Sequence, residues 1–377
     1  MSFSALEQYF DSIAKKWDLP ACQCSVMMDH RRVFYRAAGY RDLDKNIPAG
    51  EEDLYWIYSV SKLFTCVAAM QLIDRGMMSL SDPVSRFFPS WTEIRVSRGD
   101  KTVPPEEAPT ILHLMTMTAG LNYELNSPAM KRFRKMNGRR ALLRDLPDAL
   151  AEQPLDFSPG EHFRYSLCHD ILGAIVESVS GADMETYVKK HIGDPLGARD
   201  LTFFPTREQA KRFSVQYRYV PETGTIERIR RHNRYIFTPT FASPGAGLSA
   251  GIREIALLAD ALANGGIGRT GESVLSAEAI RELSKNRLTS IQLSDFREMK
   301  PAPYGYGLGV RTLMKEDHGA PEGEFGWDGA AGSYVLIDPS RGMSLVYTQH
   351  VLEFGPGYSD VHPGLRNALY ESLNGNI

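Results

Sequence analysis

At 377 residues the chain has room for two domains, or for one large fold carrying an inserted region. Its hydrophobic content of 43% and charged content of 24% describe an ordinary globular protein and exclude a disordered or fibrous one. A formal net charge of -3 gives no reason to expect nucleic acid or an anionic membrane as partner.

The chain opens with Leu6, Phe10, Ile13 and Trp17 at helical spacing, closed by Pro20. This start lacks the basic and apolar blocks of a secretory signal, and no apolar window of membrane-spanning length follows, so a cytoplasmic protein is expected. CQCSVMMDHRRVFYRAAGYRD predicts two strands with a charged turn around Asp29 to Arg32. LFTCVAAMQLIDRG is apolar on nearly every face until Asp74, which predicts a buried helix ended by Gly76. Beyond it, prolines from Pro83 to Pro159 punctuate short segments, of which ILHLMTMTAG and DILGAIVESVSG are the clearest helices. FSVQYRYV-PETG-TIERI predicts a hairpin. The basic group that follows it, Arg228, Arg230, Arg231 and Arg234, reads as a solvated hairpin end because no aromatic platform is interleaved with it.

IREIALLADALANGG is an amphipathic helix with a glycine stop, YGYGLGVRTL a strand region, and GSYVLIDPSRGMSLVYTQH a hairpin turning at Asp338 to Gly342. HPGLRNALYESLNG closes the chain as a helix. Helix and strands at both ends predict an α/β domain of residues 1–76 and 240–377, with one sheet completed by both termini. Residues 77–239 would form a mostly helical insertion. Cys22, Cys24, Cys66 and Cys168 are too few and scattered for a disulfide framework and read as reduced thiols. No metal-ligand spacing occurs among the nine histidines, and no cofactor is expected. His113 and His162 read as structural, Met115 and Met117 as packing, and Tyr304 and Tyr306 as pocket or core aromatics.

Two serine motifs compete. GLSAG at 247–251 matches the nucleophile-elbow pattern G-x-S-x-G around Ser249, but no strand leads into it, because Pro239 and Pro244 interrupt FTPTFASPGAG. Its expected role is the lead-in and cap of the following helix. YSVSKLF instead sets Ser59 and Lys62 three apart, on one face of a helix, where burial can lower the lysine pKa until it serves as a base. The helix N-terminus would favour a developing oxyanion. Alone the pattern is unspecific. Its company is FSPGEHFRYS, with Tyr165 just before a helix, and FGWDGAAGSYVLIDP, with a glycine-rich turn before a strand.

With those segments in order, the chain resembles the serine β-lactamase and penicillin-binding superfamily over residues 20 to 350. It is most similar to class C β-lactamases and to β-lactamase-like (family VIII) carboxylesterases. The resemblance implies an α/β, β-lactamase-like (DD-peptidase) fold, with a central antiparallel sheet flanked by helices and a mostly helical domain. It also implies Ser59 as acylated nucleophile, Lys62 as its base partner and Tyr165 as proton shuttle, the choice of acylation base between the last two staying open. The backbone N–H groups of Ser59 and Ala330 would form the oxyanion hole, and Leu167, Tyr123, Trp327, Asp328 and Gly329 would meet the substrate.

Two positions depart from the pattern: Leu167 replaces the amide of Y-x-N, and Trp327-Asp328-Gly329 replaces K-T-G or H-T-G. Both favour a neutral small-molecule ester over a lactam or a peptide carboxylate, hence an esterase. A DD-peptidase, an amidase or a weak β-lactamase of the same superfamily is the alternative. A non-catalytic binding protein retaining the fold is a third reading. The sequence leaves the oligomeric state open.

Overall fold

The computed structural model describes residues 2–374. Helix α1 (Ser4–Lys16) precedes strands β1 (Ala21–Met28), β2 (Arg31–Asp42) and β3 (Ile47–Pro48), and helix α2 spans Ser61–Asp74. Helix α3 (Cys168–Ser180) lies in the middle of the chain and helix α4 (Ile252–Ala263) opens its last third. Strands β4 (Tyr304–Tyr306), β5 (Arg311–Leu313), β6 (Phe325–Asp328), β7 (Tyr334–Asp338) and β8 (Met343–Gln349) then lead to helix α5 (His362–Asn374).

The eight strands form one sheet in the order β4-β5-β6-β7-β8-β1-β2-β3, with every pair antiparallel. The first strand of the chain therefore pairs with the last of the sheet: Cys22 faces Gln349 and Val26 faces Leu345. The turn between β1 and β2 carries positive φ at Asp29 and His30, the conformation a tight hairpin needs and that aspartate tolerates. One sheet face packs on α1 and α5 through Leu6, Phe10, Leu365 and Leu369 around Cys22, Cys24 and Val26. The other face is covered by α4, which meets β1, β7 and β8. Each fully buried leucine of α4, such as Leu258 or Leu262, contributes ~2 kcal/mol by leaving water. The fold is thus α/β, an antiparallel sheet between helical layers.

Helix α2 is buried on all sides, from Ser61 to Leu72, and packs against α3. A helix apolar all round belongs in the centre of a core, so whatever polar group it carries is forced into a desolvated setting. Gly76 (φ 67) and Gly181 (φ 72) follow α2 and α3 in the left-handed conformation that stops a helix. ILHLMTMTAG is helical only over Ile111–Met115, because the chain turns out of the helix at Met117, with φ 59. FGWD forms strand β6, and the glycine-rich turn expected before a strand follows it at 329–333, ahead of β7. The hairpin Tyr217–Val220 and Thr225–Arg228 gains Val351–Leu352 as a parallel third strand, tying the middle of the chain to its end. No helix among the described residues is long and apolar enough to cross a membrane.

Candidate active site

Ser59 sits in a short 3-10 turn, Tyr58–Val60, that runs directly into α2. It is partly exposed while its neighbours Tyr58 and Val60 are buried. Tyr58 is held at φ 46, unusual for a bulky residue and worth on the order of 1–3 kcal/mol of strain. Its hydroxyl is fixed by Gln216 and by the His232 carbonyl, which holds the turn in that conformation. Lys62, one turn on, is fully buried. Its Nζ donates to Ser59 Oγ at 3.3 Å, to Tyr123 Oη at 3.0 Å and to the Gly245 carbonyl at 2.7 Å. Burial pushes the Lys62 amine down to about 8, with the carboxylate of Asp170 acting in the opposite direction.

Tyr165 stands on the other side of Ser59. Its hydroxyl meets the Ser59 hydroxyl and accepts a hydrogen bond from Trp327 Nε1 at 2.9 Å. Burial raises the phenol above its ordinary range. Because indole N–H is donor only, the phenolic proton of Tyr165 is left pointing elsewhere, free to be donated. The Trp327 ring lies 5.5 Å from that of Tyr165, and the Lys62 amine lies 4.6 Å from the Tyr165 ring centroid. Ser59 and Lys62, from one turn and helix, are therefore brought together with Tyr123, Tyr165 and Trp327, from four separate parts of the chain in all.

The end of β6 closes on this turn. A Cβ at Gly329 would meet the Ile57 carbonyl at 2.3 Å, so only glycine lets the strand approach. Tyr358 donates to the Gly329 carbonyl at 3.0 Å. The Ala330 amide follows, and among the described residues it has no backbone acceptor.

Two of the expected substrate contacts are buried. Leu167 is packed into the core at the start of α3, with 2% of its surface exposed. Asp328 follows Trp327 in a strand, where consecutive side chains point to opposite faces. With Trp327 turned to Tyr165, Asp328 is buried against Lys300 and Arg311, the latter at 3.1 Å. Those two cations hold its carboxyl low, at about 2. It is a neutralised structural anion, not a negative charge facing the substrate.

GLSAG is a brace for the nucleophile's turn. Leu248 N–H donates to Ser61 Oγ at 3.1 Å, and the Leu248 carbonyl accepts from Ile57 N–H at 3.1 Å. Ser249 pairs with Trp56 across a two-residue bridge, and its buried hydroxyl finds no hydrogen-bond partner among the described residues. The N-cap of α4 is Gly251, so the expected capping role does not fall to Ser249. His113 closes a capping box with Thr110, and His162 Nδ1 lies 3.0 Å from Asp295.

Asp170 is a residue that sequence reasoning passed over. Buried in the first turn of α3, it accepts from Ser243 Oγ at 2.9 Å and from Gly245 N–H at 3.3 Å. It thereby fixes the loop whose Gly245 carbonyl receives the Lys62 proton donor. A Cβ at Gly245 would lie 2.5 Å from Asp170 Oδ2, so the fit demands glycine. An acid in the first helical turn satisfies the helix dipole anywhere, which is why the sequence did not single it out. Because its charge raises the Lys62 pKa, Asp170→Asn should move the alkaline-activated limb of a kcat/KM profile to lower pH. Asparagine keeps the two acceptor contacts. An unmoved limb would show that Asp170 acts only as a loop anchor.

No group of three or more His, Cys, Asp or Glu side chains suited to a metal ion occurs among the described residues. The four cysteines are buried free thiols.

The family model described as Beta-lactamase matches residues 6–360. Esterase EstB of Burkholderia gladioli is 29% identical over 387 residues, covering 97% of this chain and 94% of EstB. The solved structure of EstCE1, described as a hydrolase with promiscuous acyltransferase activity, superposes with a TM-score of 0.81 at 24% identity, covering 98% of this chain and 99% of that one. A simvastatin synthase (LovD) mutant of Aspergillus terreus shares the fold, with a TM-score of 0.81 at 20% identity over 98% of this chain and 95% of its own. With a family match over nearly its whole length and a named esterase among its relatives, the chain belongs to the beta-lactamase family and is a serine hydrolase related to esterases.

Proposed function

We propose that the protein is a carboxylesterase acting on small-molecule esters through an acyl-enzyme on Ser59. The observation that carries the reading is the fully buried Lys62, its amine lowered to about 8 and 3.3 Å from Ser59 Oγ. A serine hydroxyl needs a base whose pKa lies near the working pH, and Lys62 meets that need where the raised phenols of Tyr123 and Tyr165 do not.

Ser59 Oγ attacks the ester carbonyl carbon as its proton passes to Lys62. The oxyanion is received by the N–H groups of Ser59 and Ala330, each worth about 3 kcal/mol in such a role. The C–O bond to the alcohol then breaks, and the leaving oxygen takes the proton of Tyr165, which Lys62 replenishes. Water attacks the acyl-enzyme by the reverse relay and frees the acid and Ser59.

Trp327 supports an ester over a lactam or a peptide. It fills the position of a cation with a neutral N–H donor that is already spent on Tyr165, so it offers no charge to a substrate carboxylate beside the leaving group. Two measurements test the reading. Labelling with a fluorophosphonate followed by peptide mass spectrometry should place the adduct on Ser59. Turnover of p-nitrophenyl butyrate should exceed that of a chromogenic cephalosporin by about 100-fold or more in kcat/KM, the scale of one well-placed binding interaction lost. An adduct elsewhere, or the opposite preference, overturns it.

A further inference from the structure

A cleft of about 510 Å³ opens beside the site and is lined by Tyr58, Ala330, Tyr235 and Tyr358. It therefore reaches the amide assigned to the oxyanion hole and the residue before the nucleophile. Lys62, Tyr165 and Trp327 are not among its lining residues. Since Tyr165 protonates the leaving alcohol, the alcohol side of an ester lies toward Tyr165, and this cleft receives the acyl side.

Its charge is one-sided. Arg218, Arg230 and Arg234 line it, with His232 beside them, against a single carboxylate, Glu353. Arg218, Arg230 and Arg234 form no ion pair within 4.0 Å among the described residues, although the charge of Glu353 acts on Arg234. Arg234 is also held in place: it donates to Tyr235 Oη at 3.0 Å, and its guanidinium lies 5.1 Å from the Tyr235 ring centroid. The Tyr235 ring is 5.5 Å from that of Tyr123, which binds Lys62. Two aromatic rings, Tyr235 and Tyr123, thus stand between the Arg234 guanidinium and the catalytic lysine. A guanidinium fork matches a carboxylate in two parallel hydrogen bonds, and three tyrosine faces lower the local dielectric and strengthen the attraction.

We propose that this cleft binds an acyl group ending in a carboxylate, anchored by Arg230 and Arg234, so that the preferred substrates are half-esters of dicarboxylic acids. The inference rests on the Ser59 esterase reading. It replaces the expectation of a neutral ester with that of an anionic one: the cation missing beside Tyr165 is supplied on the opposite side of the scissile bond.

The test compares p-nitrophenyl half-esters of succinic, glutaric and adipic acids with the neutral p-nitrophenyl esters of matching chain length. At low salt the best half-ester should exceed its neutral counterpart about tenfold in kcat/KM, the factor given by ~1.4 kcal/mol for a partly exposed contact. The advantage should shrink at high ionic strength, where exposed charges are screened. In Arg230→Gln/Arg234→Gln the ratio of the two esters should fall toward one, and this ratio cancels any change in the folded fraction. Turnover of both esters without preference, or a ratio unmoved in the double variant, overturns the carboxylate anchor alone. Absence of Ser59-dependent turnover of either ester overturns the esterase reading and this inference with it.

Discussion

Ser59→Ala should lower kcat/KM for p-nitrophenyl butyrate by about 10⁴-fold or more, the scale at which a nucleophile is lost from a concerted set of groups. Ser249→Ala should stay within about threefold of the native enzyme, because its buried hydroxyl makes no hydrogen bond that a methyl-sized replacement would break. The contrast is steep because both serines lie near one turn. Ser249 pairs with Trp56, and the neighbouring Leu248 is bonded to Ile57 and Ser61 on either side of the nucleophile. Thermal unfolding of both variants, measured beside the kinetics, separates lost chemistry from lost structure. An active Ser59→Ala, or an inactive and folded Ser249→Ala, would return the nucleophile to GLSAG.

The elements were legible where local pattern and tertiary fate agree. The all-apolar run of α2 announced its own burial, and burial is what lowers Lys62, so the chemistry of the site was implicit in composition. The hairpin at Asp338 to Gly342 and the helix after Gly251 carried their signals in adjacent residues. The glycine-rich turn before β7 was legible as well, but FGWD carried no strand signal of its own, and only pairing with β7 on one side and β5 on the other makes it strand β6. Without that strand, the alternation that sends Trp327 to Tyr165 and Asp328 to Arg311 stayed out of sight.

What remained hidden depends on long-range contact. The left-handed Tyr58 is fixed by Gln216 and His232, more than 150 residues away. Asp170 looked like an ordinary first-turn acid until the 243–245 loop folded onto it. The arginines after the hairpin are exposed, as a solvated segment would be. The missing aromatic platform, however, is supplied partly by Tyr235 in sequence and partly by Tyr58 and Tyr358 in space. Charge runs are read against their neighbours in the chain, whereas a ligand meets their neighbours in the fold.

Lys62→Arg should lower kcat/KM for the same ester by about 10³-fold, within the range that one general base contributes, although it conserves charge. Arginine stays protonated at any pH the fold survives, so it can occupy the cavity without accepting the Ser59 proton. The native enzyme tests the same point through pH. Burial lowers the Lys62 amine from 10.5 to about 8, so the neutral, proton-accepting form grows in as pH rises through that value. kcat/KM should therefore climb along a limb centred near pH 8 and level off above it, and the limb should be absent in the residual activity of Lys62→Arg. If Tyr165 were the acylation base, its phenol would have to lose a proton that burial holds more tightly than usual. The limb would then lie well above pH 8 and survive in Lys62→Arg, while Tyr165→Phe would remove it. With Lys62 as base, Tyr165→Phe keeps the limb and loses rate through the step that protonates the departing alcohol. Leaving-group dependence reads that loss: it should be smaller for p-nitrophenol, which departs without a proton, than for an alkyl alcohol, which does not.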